Sequence, residues 1–304
     1  MSFELKILGS NSAAPAHNRY QTAQILKIDG TLFLIDCGEG TQLRLKKYGV
    51  KLTRIDCIFI SHLHGDHYLG LVGLISTMNL YHRQQQLTIF GPIGLSEIIT
   101  LQLRYSETVL NFKVDFEELN PLEPQIIYES KKIIIKSFPL NHRINCTGFS
   151  FREKPKKRRL IKEKINSIPL ADRVDLKNGV DILDDDGKIV YKSEEFTLPA
   201  KRSRSYAYCS DTKYDETIVE WIKNVDLLYH EATFLDELIE RAEATFHSTA
   251  KQAAKIAKKA QVKKLIIGHF SIRYKELHPL LAEAREVFED TELAIEGESI
   301  SIEE

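Results

Sequence analysis

The sequence predicts an α/β protein in which helices cover sheets. Short apolar runs bounded by turn residues recur along both halves of the chain, and stretches with helical spacing lie between them. A basic segment of low periodicity interrupts the alternation in the second half. With 304 residues, 43% of them hydrophobic, the chain can bury a sizeable core in one large or two moderate domains.

The elements follow in order. "FELKIL" at 3–8 alternates Phe3, Leu5 and Ile7 with polar neighbours and reads as the first strand. "AQILKI", "TLFLID", "DCIFIS", "QLTIFG", "KIIIKSF" and "GFSF" continue the strand series, and "SYAYCSD", "VDLLYHE" and "KKLIIGHF" resume it after the interruption. Helical spacing appears in "GTQLRLKKYG" at 40–49, in the amphipathic "IGLSEIITLQLRY" at 93–105, and in "HSTAKQAAKIAKKAQ" at 247–261, which is rich in Ala and Lys behind a Ser/Thr cap. The interrupting segment, 152–204, opens with "REKPKKRRLIKEK", eight basic residues against two acidic ones. Pro155, Pro169, Asn178-Gly179 and "DDDG" punctuate it, which suits an extended arm or hairpin better than a packed domain. Clustered Lys and Arg make this arm a candidate grip for a polyanion.

The formal charge of −1 excludes a simple cationic nucleic-acid coat, so any polyanion must meet a local patch. The start, MSFELKILGS, shows no basic region leading a long apolar run, and no apolar stretch approaches the roughly 20 residues that span a bilayer. A soluble, cytoplasmic protein is expected, with no membrane and no obligate protein partner implied. Its four cysteines form no C-x-x-C pair and are expected to be reduced and buried.

The chemistry concentrates in "SHLHGDHYLG" at 61–70, where His62, His64, Asp66 and His67 occupy six positions just past the strand "DCIFIS". Three histidines at a strand end are expensive to bury unpaired, whereas imidazole and carboxylate suit zinc. His62 and His64 can point to one side, and Asp66 and His67 can address a second point round the turn. One loop cannot saturate two ions, so further donors are expected at other strand ends. His142 in "FPLNHRINCTGF", Asp211 in "YAYCSDTKY" and His269 in "LIIGHFSIRY" each sit just beyond an apolar run.

The seven positions, H-x-H-x-D-H followed by His142, Asp211 and His269, resemble the metallo-β-lactamase superfamily. That resemblance implies an αβ/βα sandwich of two mixed sheets flanked by helices, a single domain over 1–304 with the arm at 152–204 inserted. It implies two Zn²⁺ per subunit, with Mn²⁺ or another divalent ion as the alternative: His62, His64 and His142 on the first, Asp66, His67 and His269 on the second, and Asp211 between them. Finer patterns, "DCGEGTQ", "SHLHGDHYLGLVGL", "SDTKYDETIVEWIKNVDLLYHEATF" and "HSTAKQAAKIAKKAQVKKLIIGHFSIRY", are similar in order to the ribonuclease Z family of tRNA 3′-processing endoribonucleases. The pairing of "HEAT" with a later "HST" is far more specific than the superfamily motif, which also fits lactamases, glyoxalases and other nucleases.

This second resemblance implies a homodimeric, zinc-dependent endoribonuclease that removes 3′ trailers from precursor tRNA, cutting after the discriminator nucleotide. The tRNA would keep a 3′-hydroxyl and the trailer a 5′-phosphate. His247, with Glu231 as its partner, is implied as the acid for the leaving oxygen, and Asp66 can orient or deprotonate the attacking water. Arg273 can reach a substrate phosphate, and Lys156, Lys157, Arg158 and Arg159 of the arm are the expected RNA contacts. Two stretches depart from the family pattern: the loop "NSAAPAHNRYQ" near the amino terminus, and "NSIPLAD" where a Gly-Pro-rich element usually stands in the arm.

Overall fold

The computed structural model describes residues 2–303. Strands β1 (Phe3–Gly9), β2 (Ala23–Ile28), β3 (Thr31–Ile35), β4 (Ile55–Phe59), β5 (Leu87–Gly91) and β6 (Val114–Glu118) form one sheet, with the C-terminal β18 (Ser299–Ser301) beside β1. The second sheet holds β7 (Gln125–Glu129), β8 (Ile133–Leu140), β9 (Cys146–Glu153), β14 (Ser205–Cys209), β15 (Leu227–Glu231), β16 (Lys264–Gly268) and β17 (Thr291–Leu293), in the order β17-β16-β15-β14-β9-β8-β7. Both sheets are mixed. β3 to β6 run parallel in the first, and β14 to β17 run parallel in the second.

The inner faces of the two sheets meet in an aromatic core. Phe59 packs on Phe149 and Phe151 at ring separations of 5.4 and 5.5 Å, and Phe33 on Phe151 at 5.9 Å. All four are fully buried, and each contributes on the order of 2 kcal/mol. Outside the first sheet lie α1 (Thr41–Lys47), α2 (Gly65–Tyr68), α3 (Leu71–Leu80) and α4 (Leu95–Tyr105), with Leu45, Leu74, Ile75, Met78 and Ile99 packed on Ile58 and Ile89. Two further helices, α5 (Arg173–Lys177) and α6 (Ser193–Phe196), belong to the inserted segment. α7 (Val219–Ile222), α8 (Ile239–Thr245), α9 (Ala250–Lys259) and α10 (His278–Arg285) follow it, and the alanine face of α9 covers Leu228, Leu265 and Ile267 on the outside of the second sheet. The architecture is thus a helix–sheet–sheet–helix sandwich.

The expected strands all form, and the three expected helices appear as α1, α4 and α9. Elements that the pattern did not announce include α3, whose near-continuous apolar run "LVGLISTMNL" lacks amphipathic contrast, the shorter helices α2, α5 to α8 and α10, the short strands within the inserted segment, and the edge strands β6, β7, β17 and β18. α9 is capped by Thr249 rather than Ser248: Thr249 and Gln252 form a reciprocal capping box, which frees the Ser248 hydroxyl to donate to the Thr212 carbonyl at 2.7 Å.

Segment 152–204 leaves the second sheet between β9 and β14. β10 (Arg159–Leu160) pairs with β13 (Thr197–Leu198), and β11 (Ile182–Leu183) pairs with β12 (Ile189–Tyr191). Its two ends are clamped together. The buried Arg204 guanidinium donates to both Glu153 oxygens at 3.0 and 2.6 Å, and Lys156 adds an ion pair at 2.9 Å.

Candidate metal centre

Six strands deliver side chains to one edge of the sandwich from their C-terminal ends, where open α/β sheets build sites. Asp36 follows β3, His62 follows β4, His142 follows β8, Asp211 follows β14, Glu231 ends β15 and His269 follows β16. Asp36 and His269 adopt left-handed backbone at φ 55° and 59°, a region in which Asp and His are enriched among non-glycine residues. The turn into His269 also needs Gly268, since a Cβ there would lie 2.3 Å from the Tyr229 hydroxyl.

The side chains converge in two groups. In the first, His62 Nε2 lies 3.0 Å from His64 Nδ1, which lies 3.1 Å from His142 Nε2; Asp211 Oδ2 stands 3.5 and 3.8 Å from His62 and His142. In the second, His67 Nε2 lies 3.2 Å from His269 Nε2, with Asp66 Oδ2 at 3.5 and 3.3 Å from them. Asp211 Oδ1 reaches the same pair at 3.3 and 3.2 Å. One carboxylate therefore offers an oxygen to each group.

Outer partners fix which ring nitrogen faces inward. His142 Nδ1 donates to the Phe246 carbonyl at 2.9 Å, and His67 Nδ1 to Asp36 at 2.8 Å. His269 Nδ1 meets the Thr233 hydroxyl at 3.0 Å, whose own proton goes to Glu231 at 2.7 Å. Asp36 also accepts from the Ser61 amide and hydroxyl and from Tyr208. Burial, reinforced by neighbouring imidazoles, pushes His64 down to about 4 and, against the pull of Asp211, His142 also to about 4. Both are neutral at neutral pH, with lone pairs available. Burial would lower His67 too, but the charges of Asp211, Asp66 and Asp36 outweigh it and hold His67 well above the usual histidine range.

A third group adjoins these two. His247 Nδ1 donates to Glu231 Oε1 at 2.8 Å, and the fully buried Glu231 also accepts the Thr212 and Thr233 amides at 3.1 Å each. Burial opposes a charged His247, yet the Glu231 charge and hydrogen bond raise it to about 9. A cavity of about 800 Å³ opens over Asp66, Asp211, His247 and His269, with Arg143, Arg241 and Arg273 in its wall.

Residues 3–159 match a family described as "Anti-Pycsar protein Apyc1", and residues 195–270 match the "Beta-lactamase superfamily domain". A ribonuclease Z from Cytophaga hutchinsonii is 51% identical over 99% of this chain and 97% of its own. A ribonuclease Z from Bacteroides fragilis is 43% identical over 99% of both. The chain belongs to the ribonuclease Z family. Among solved structures, the short form of human tRNase Z superimposes with a TM-score of 0.73 at 28% identity, covering 99% of each chain. Members of the ribonuclease Z family thus share this chain's full length, and the sandwich is a metallo-β-lactamase fold.

The donors fit a metal. Four-coordinate zinc with nitrogen at ~2.0–2.1 Å holds its ligand atoms roughly 3.3 Å apart, close to the spacings within both groups. Ligand atoms of His62, His64, His142 and Asp211, and of Asp66, His67 and His269, each lie within 4.8 Å of one another. Neutral imidazoles and ionised carboxylates are the states that a divalent cation takes, and a cation held by the second group would take the place of the proton that its carboxylates favour on His67.

All seven expected donors come together, and Glu231 and His247 stand beside them. Arg273 lies at the cavity wall, over the Phe234 ring at 5.5 Å. Lys156, Lys157, Arg158 and Arg159 lie elsewhere, around a separate cavity at the root of the arm. Four contributors escaped the sequence reading: Asp36, Ser61, Thr233 and the Ala13 amide, which donates to Asp66 Oδ2 at 2.7 Å. Asp36 left a signal as the acidic residue closing the apolar run "TLFLID", while Ser61 and Thr233 lie inside "SHLHGDHYLG" and "HEAT" with nothing in the sequence to mark their roles.

Proposed function

We propose that this chain is a metal-dependent endoribonuclease that removes 3′ trailers from precursor tRNA, cutting after the discriminator nucleotide to leave a 3′-hydroxyl on the tRNA and a 5′-phosphate on the trailer. The observation that carries the reading is the Glu231–His247 pair beside two donor groups that share Asp211, in a chain of the ribonuclease Z family. His62, His64, His142, Asp66, His67, His269 and Asp211 would hold two Zn²⁺ ions, which when bound would supply Lewis acidity that lowers the pKa of water and offsets charge on the phosphate. Asp66, anchored through Oδ2 by the Ala13 amide, orients the attacking water and takes its proton through Oδ1. His247, held by Glu231 through Nδ1, gives a proton from Nε2 to the departing 3′ oxygen. Arg273 binds a phosphate beside the scissile one.

The working form is a homodimer. Leu80 and Tyr81 at the end of α3, and Tyr105 and Val109 at and after the end of α4, are exposed by 74, 55, 78 and 83%. The two helix ends are joined through Asn79, which donates to the Val109 carbonyl at 3.0 Å, so these side chains form one apolar patch suited to a second copy. The cellular setting is the cytoplasm; among the described residues no helix is long and apolar enough to cross a membrane.

The deciding experiment incubates the protein with end-labelled precursor tRNA and maps the cut with and without chelator. Chelator-sensitive cleavage directly after the discriminator is expected. Intact precursor, or scattered cuts, would overturn the reading.

A further inference from the structure

Phe246 stands between the donor groups and the proposed acid, and its backbone is left-handed, at φ 60° and ψ 45°. Most other non-glycine residues with positive φ are Asn, Asp or His, which are enriched in this region. Among the described residues Phe246 is the one large apolar side chain that adopts it. Such a conformation persists only where surrounding contacts over-determine it.

Those contacts are specific. Helix α8 closes at this point: the Phe246 amide donates to the Glu243 carbonyl at 3.2 Å and the His247 amide to the Ala242 carbonyl at 2.8 Å, the bond pair of a Schellman motif. The Phe246 carbonyl then accepts from His142 Nδ1 at 2.9 Å. The ring meets that of His142 edge-on at 6.3 Å between centroids, and Lys213 Nζ sits over it at 4.1 Å. Lys213 lies two residues past Asp211, and its amide donates to the carbonyl of Asn141, the neighbour of His142, at 2.9 Å. Phe246 therefore touches His142 and the loop that carries Asp211, and His247 is its next residue in the chain.

Helix closure alone does not call for phenylalanine. Gly or Asn would end α8 in the same way without the steric cost. The left-handed step makes two placements at once. With helical backbone at 246, α8 would run on and carry His247 with it; the observed step instead gives the Phe246 carbonyl to His142 and delivers His247 to Glu231 at 2.8 Å.

Resting on the function proposed above, we infer that Phe246 is a positioning residue, whose left-handed backbone sets the metal donor His142 and the acid His247 relative to each other. Its ring, between Lys213 and His142, holds that conformation in place.

The test compares the full-length parent with Phe246→Gly, Phe246→Asn, Phe246→Ala and Phe246→Val. All four variants lose the ring, but Gly and Asn enter the left-handed region readily, Ala less so, and β-branched Val least. Zn²⁺ affinity is read by competition with a graded chelator series, and kcat and KM are read separately on precursor tRNA. The Gly and Asn variants are expected within about threefold of the parent in affinity and kcat, because their backbones keep the outer partner of His142. The Val variant should bind Zn²⁺ about tenfold more weakly or worse, and its kcat should fall by about tenfold or more at unchanged KM, with Ala between. Where Val does not yield folded protein, Ala against Gly decides by the same order. Equal values across the series, whether all parental or all impaired, overturn the inference, as do Gly and Asn variants weaker than Ala. If no protein in the series cuts precursor, the parent included, the proposed activity fails, while the order of Zn²⁺ affinities still decides the role of Phe246.

Discussion

Glu231 Oε1 and His247 Nδ1 are 2.8 Å apart, and the carboxylate that anchors this contact is fully buried and held by two backbone amides. The imidazole is therefore fixed in position with Nε2 left to act, and its raised pKa keeps it protonated at neutral pH. His247→Ala should keep its metal and its tRNA affinity while single-turnover cleavage slows by about 10²-fold or more. Unchanged cleavage would remove His247 from the mechanism. Glu231→Gln should fall between the two, because the ring keeps a hydrogen-bond partner and loses the charge.

Asp211 is the single residue that both donor groups share. Protein purified without chelator should contain close to two metal ions per chain by elemental analysis, and Asp211→Ala should fall below one, since each group loses a donor. A folded parent protein with metal content near zero would end the two-ion reading.

Asp36 predicts an effect at a distance from the metal donors' own atoms. It accepts four hydrogen bonds, from Ser61 twice, from His67 and from Tyr208. Asp36→Asn should preserve the fold, as the replacement is isosteric, yet lower metal affinity or activity by about 10- to 100-fold. Competition with a graded chelator series reads the affinity directly, and a curve overlying the parent's would show that the ring of His67 needs no such anchor.

These three cases differ in how far the sequence announced them. The donors were legible because metal chemistry demands particular residue types and because each follows a visible apolar run. Glu231 and His247 are ordinary residues in isolation and became candidates only through the resemblance of "HEAT" and "HST". Thr233, Ser61 and the Ala13 amide were not legible, since their roles exist only once β4, β15, β16 and the amino-terminal loop meet. The arm shows the same boundary. Its basic opening was plain in "REKPKKRRLIKEK", but the cavity at its root is also lined by Lys131, Lys132 and Lys177, which only the fold brings to it.

Glu153 and Arg204 close the base of the arm, and their pairing predicts a pH-dependent stability. Burial on its own would raise the Glu153 carboxyl, but hydrogen bonds from Arg204 and Lys156 outweigh it and hold the carboxyl below its usual 4.5. A carboxyl lowered in the folded state contributes its full stabilisation above the unfolded value of 4.5, and that contribution is lost as pH falls towards the lower folded value. Urea midpoints of the parent and of Glu153→Gln should therefore differ by a constant amount from pH 7 to about 5 and converge below about 4.5. A gap that stays constant to pH 3 would show that the pair contributes nothing through charge. Arg204→Ala, which leaves the buried carboxylate only Lys156 and the residue-204 backbone amide as partners, should cost about 3 kcal/mol at pH 7.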